Sequence, residues 1–197
     1  MNDFRFTGKG GKIFVPGDFC SRLPAKGNFV LTRCYGRDVE ALQKLGYVDR
    51  VRVLKEHFPY DRVLVVIDTD LDQGKTQSAV EALAVSHPGI FIPVYVAGAG
   101  SPNWTQLLNA GLKFLHSEGV REGQLLSLTT EVLIENASSL QGLSNAPVPM
   151  LTYRRTPVDL APEEATDLWD ENPGTMLALV KFLLSQSVAS KERSADQ

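Results

Sequence analysis

The sequence predicts an α/β domain: three layers, with a mostly parallel twisted sheet at the centre and helices on both faces. Three observations predict it. Short apolar runs recur along the chain and are separated by helix-length amphipathic segments. The strongest run, Arg62 to Ile67, is apolar without alternation, as in a strand covered on both faces. Strands that alternate with helices pair in parallel through right-handed crossovers.

Taken in order, the opening Gly8-Lys9-Gly10-Gly11 reads as a loop beside a small strand at Lys12 to Val15. Phe29 to Cys34 reads as the first buried strand. Arg37 to Leu45 follows as a helix with Val39, Leu42 and Leu45 on one face. After the strand Arg62 to Ile67, a helix is expected over Thr76 to Ser86, with Ala79, Val80, Leu83 and Ala84 inward and Pro88-Gly89 as its stop. Ile90 to Val96 is the third long strand. Pro102 to Ser117 is the clearest helix: Trp104, Leu107, Leu108, Gly111, Leu112 and Leu115 share one stripe. Ser101 suits its N-cap, Pro102 its first turn and Gly119 its end. Gln124 to Leu128 is the fourth strand. Further on, a short helix from Asn136, a strand at Val148 to Tyr153 and helices at Glu163 to Trp169 and Thr175 to Ser185 are expected. Residues 1–189 read as one domain and 190–197 as a polar, disordered tail.

Composition excludes several classes. The hydrophobic content is 43% and the charged content 22%, as in an ordinary globular chain. A net charge of -3 with no basic face gives no footprint for nucleic acid. No apolar run reaches the length of a transmembrane helix, and Met1 to Lys12 lacks the apolar core of a signal peptide, so a cytoplasmic protein is expected. Cys20 and Cys34 make no disulfide framework, and His57, His87 and His116 fall in no zinc pattern.

In a parallel sheet, ligands sit beyond the carboxyl ends of the strands. After Ile67 comes Asp68-Thr69-Asp70-Leu71-Asp72-Gln73-Gly74-Lys75-Thr76. This acidic stretch is either a solvated turn that caps the next helix or a group of acceptors for a ligand's N–H donors, such as those of a base. It is not a phosphate loop, because Thr69 stands where that motif requires glycine. After the third strand, Ala97 to Asn103 is built of small residues that let a ligand approach the backbone near a helix N-terminus; a plain flexible loop is the other reading. Thr129-Thr130-Glu131 follows the fourth strand. Gly142-Leu143-Ser144-Asn145-Ala146 lacks both the last glycine and the preceding strand of a serine-hydrolase elbow.

Together, these segments resemble the nucleotide-binding half of GT-A glycosyltransferases (the nucleotide-diphospho-sugar transferase fold), family 2 especially, over about residues 28–143. Cys34-Tyr35-Gly36 stands at the family's first turn, with Gly36 where asparagine is usual. Asp68 through Asp72 is similar to its acidic loop, and Asn109-Ala110-Gly111 to its Asn-x-Gly helix, with Leu108 where arginine is common. The resemblance implies a nucleotide site made by Tyr35, Asp68, Asp70, Asp72 and Asn109. It also implies a diphosphate and metal site at Thr129, Thr130 and Glu131, where the family carries Asp-x-Asp. One acid in place of two implies reduced affinity for Mn²⁺ or Mg²⁺. Residues 144–189 would be a short C-terminal part, and its acids Glu163, Glu164, Asp167, Asp170 and Glu171 are either candidates for the catalytic base or a solvated helix face.

The expected function is therefore binding of a UDP- or GDP-type nucleotide sugar, with transfer of the sugar to an unknown acceptor. A catalytically inactive GT-A-fold binding or scaffold protein is the first alternative. A nucleotidyltransferase is the second, suggested by the glycine-rich, basic Gly8 to Lys12.

Overall fold

A computed structural model describes residues 2–5, 12–15, 19, 23–34, 47–69, 74–97, 104–128 and 153–160. Seven strands form one sheet: β1 (Asn2–Arg5), β2 (Lys12–Val15), β3 (Lys26–Cys34), β4 (Arg62–Asp68), β5 (Phe91–Ala97), β6 (Glu122–Leu128) and β7 (Tyr153–Pro157). Among the described residues, three helices accompany them: α1 (Tyr47–His57), α2 (Lys75–Ser86) and α3 (Trp104–Ser117). The strand order is β1-β2-β5-β4-β3-β6-β7. The four central strands are parallel, and they are the four long runs expected as neighbours. The flanks are antiparallel: β1 on β2, β2 on β5, and β7 on β6. The sheet is thus mixed, with a parallel centre, rather than parallel almost throughout.

The chain moves outward from β3 to β4 to β5, then returns to place β6 on the other side of β3. A right-handed crossover in one direction puts its helix on one face; reversing direction puts the next helix on the other. The core has that form. Val51 and Leu54 of α1 and Val80 and Ala84 of α2 pack with Val30, Val63, Val65, Ile67 and Tyr95. Leu107, Leu108, Leu112, Phe114 and Leu115 of α3 pack on the opposite face with Phe29, Leu31, Leu64, Val66, Val94 and Leu125. Alternate residues of each strand serve opposite layers, so the central runs show no polar alternation.

At the amino ends, a polar clasp joins three strands. The Asn28 N–H donates to Asp61 Oδ2 at 2.9 Å, the Asp61 N–H donates to the Asn28 carbonyl at 2.7 Å, and the Gln124 N–H donates to Asn28 Oδ1 at 3.0 Å. Beside it, Gly27 pairs with Gly123, whose φ is +133°. A Cβ on Gly123 would lie 1.6 Å from the Gly27 carbonyl oxygen, so the close approach of β6 to β3 requires glycine there.

Several boundaries differ from expectation. Residues 2–5, for which no element was expected, form a strand, because β2 offers them an edge to pair with. The helix α1 was not expected. Its pattern was present in Val48, Val51, Leu54 and Phe58, the first half-buried and the others buried. The seventh strand begins at Tyr153, where the expected strand Val148 to Tyr153 ends. On α2, Val80 and Ala84 are buried as expected and Ala79 and Leu83 are half-buried, but Thr76 joins the inward face. The expected helices at Arg37 to Leu45, Asn136 onward, Glu163 to Trp169 and Thr175 to Ser185, and the expected tail 190–197, lie outside the described residues.

Candidate functional site

The order β5-β4-β3-β6 contains one reversal, between β3 and β6. In open α/β sheets such a reversal is the place where ligands bind, beyond the carboxyl ends of the strands.

The side chains at those ends are not alike on the two faces. On the α1/α2 face, the parallel strands finish with Cys34, Ile67, Tyr95 and Leu128, all within the buried core. On the α3 face, Phe29, Leu31, Leu64, Val66, Ile92, Val94 and Leu125 form a continuous apolar surface. At its carboxyl edge, the alternation delivers Arg33 from β3, Asp68 from β4 and Ser127 from β6. Arg33 is half-buried. Asp68 is 5% exposed and is the last residue of β4. Ser127 is 0% exposed, and its Oγ has no hydrogen-bond partner. A buried hydroxyl without a partner costs about 1–3 kcal/mol, which sets it apart from the satisfied polar groups of the amino-end clasp.

The register fixes how these three residues stand. Arg33 pairs with Val66, so Asp68 lies one strand across and two residues beyond. Ser127 pairs with Leu31, so it lies one strand across on the other side and two residues before. With strands about 4.8 Å apart and a rise of about 3.3 Å per residue, each is about 8 Å from Arg33 between Cα atoms. The next turn is held by Thr69, whose backbone N–H donates to the Val96 carbonyl at 2.9 Å and whose Oγ1 donates to the same oxygen at 3.2 Å.

The helix α3 lies over this region because Gly111 lets it approach. A Cβ at Gly111 would stand 3.2 Å from Leu31 Cδ1 and 3.3 Å from Leu125 Cδ2. The sequence Asn109-Ala110-Gly111 therefore has a packing reason for its glycine. Asn109 lies elsewhere. At about 100° per residue, it sits nearly half a turn around α3 from the stripe Leu107, Leu108, Gly111 and Leu115. It is half-buried, and its Oδ1 is enclosed without a partner. Asp68 and Asn109 are thus on opposite sides of the α3–sheet contact.

The other residues expected at the site, Tyr35, Asp70, Asp72, Thr129, Thr130 and Glu131, lie outside the described residues. Gly74 precedes α2 with φ of +83°, Lys75 is exposed and Thr76 is buried. Among the described residues, no three His, Cys, Asp or Glu side chains gather as a metal site, and no helix is long and apolar enough to cross a membrane. Arg33 and Ser127 were not singled out from the sequence. The signal available was a polar residue one place before the carboxyl end of the strand, as both are.

No family model, curated protein or solved structure matches the chain.

Proposed function

We propose that this chain is a GT-A-like domain that binds a nucleotide diphosphate sugar beyond the carboxyl ends of β4, β3 and β6 and transfers the sugar to an acceptor. The single observation that carries the reading is the reversal of strand order between β3 and β6, with polar side chains at the strand ends on one face only. Asp68 ends β4 on that face, where a carboxylate accepts from the N–H or hydroxyl donors of a base or ribose. Asp70 and Asp72 follow it in the chain and serve the same end. Tyr35 directly follows β3, and Thr129, Thr130 and Glu131 directly follow β6, so these four belong to the ribose and diphosphate end. Asn109, on the outer side of α3, is not part of this site. With Glu131 as the one acid after β6, binding depends little on Mn²⁺ or Mg²⁺.

One observation bears on the alternatives. The glycine-rich Gly8 to Lys12 leads into β2, which is antiparallel to β5, and not into a parallel strand of the centre. A nucleotidyltransferase would use such a loop at the first parallel strand, so that reading is the less supported. The inactive, binding-only reading shares the site and differs only in turnover.

A thermal-shift series with UDP, GDP, UDP-sugars and GDP-sugars, each in EDTA and in Mn²⁺, tests the proposal. A ligand at a hundred times its Kd adds about 2.7 kcal/mol to stability and raises the midpoint. Stabilisation by one base series in EDTA is expected. No shift with any nucleotide under either condition would refute the reading. Release of the nucleoside diphosphate from the stabilising donor, with the sugar passed to an acceptor or to water, separates the active from the inactive form.

A further inference from the structure

We draw no further inference here: the strongest candidate, the pair of fully buried hydroxyls of Ser127 and Thr156 on the neighbouring strands β6 and β7, is enclosed on every side, and nothing in the structure shows a ligand that reaches it.

Discussion

Replacing Gly123 by alanine isolates the contact that brings β6 against β3. The residue holds φ of +133°, a conformation that L side chains rarely adopt. Strain of this kind costs about 1–3 kcal/mol in a non-glycine residue. The added Cβ also meets backbone, not a movable side chain: 1.6 Å to the Gly27 carbonyl oxygen, 2.6 Å to its carbon and 3.1 Å to its nitrogen. To relieve that overlap, β6 must move from β3 or turn its backbone, which disturbs the adjoining pair Asn28–Gln124 and the hydrogen bond of 3.0 Å between them. Overpacking of this sort adds about 1–3 kcal/mol. The sum is about 4 kcal/mol, a fall in melting midpoint of about 8–16 °C for a chain of this size. Urea unfolding followed by circular dichroism should show a lower midpoint at an unchanged slope. Gly119 provides the internal control. Its φ is +87°, but a Cβ there meets nothing within 4 Å, so Gly119→Ala should cost only the left-handed penalty of about 1–2 kcal/mol. A loss below about 1 kcal/mol for Gly123→Ala, or equal losses for the two variants, would refute the placement of β6 against β3.

Other expectations follow from the same packing. Leu108 is fully buried under α3, so Leu108→Ala should cost about 2–5 kcal/mol in a denaturant titration. Burial pushes the Tyr60 hydroxyl up to about 12, against the lowering effect of Arg52, and the hydroxyl donates to the Val51 carbonyl at 2.5 Å. Burial likewise raises Tyr95, reinforced by its hydrogen bond to Glu81 and by the charge of that carboxylate, with Gln77 opposing. A group with a raised folded value contributes stability that is complete below its unfolded pKa of about 10 and is lost as the pH climbs through the folded one. Stability should therefore decline between about pH 10 and pH 12, and Tyr60→Phe should flatten that decline while costing about 1 kcal/mol at neutral pH; an unaltered alkaline profile would count against the buried placement. Ser127→Ala should be neutral or slightly stabilising in the unliganded protein, since it removes a buried hydroxyl that has no partner. A loss above about 1 kcal/mol would mean that the hydroxyl is satisfied.

Much of the fold is legible in the sequence, and the reason is periodicity. Val63 to Ile67 are buried on both faces in turn, so the strand β4 is apolar throughout and stands out. The stripe of α3 is legible because a helix on a sheet buries residues three and four apart; Leu107, Leu108, Leu112 and Leu115 are all fully or almost fully enclosed. The buried arc is wider than that stripe and takes in Ala110 and Phe114 as well. Shorter elements were less visible. The strand β1 is four residues long, and its existence depends on the edge that β2 presents. In the helix α1, the exposed charged residues Arg52, Lys55 and Glu56 interrupt the inward positions Val51 and Leu54.

The sequence alone determined the α/β class, the four parallel strands and the acid at the end of β4, because each follows from the local period of apolar residues and the residue that breaks it. Tertiary structure decided the rest. Strand order is a property of pairing, and only the pairing shows that the chain reverses between β3 and β6 and that antiparallel strands close both flanks. It also decided which polar residues share a strand-end edge of the sheet. Arg33 and Ser127 are 94 residues apart in the sequence, yet register and alternation bring them to one face and one end beside Asp68. The turn of α3 sets Asn109 on the other side of the helix, although the glycine two residues on is seated against the sheet. A strand's face depends on parity and a helix's face on angle; neither is fixed until each element has a neighbour to pack against.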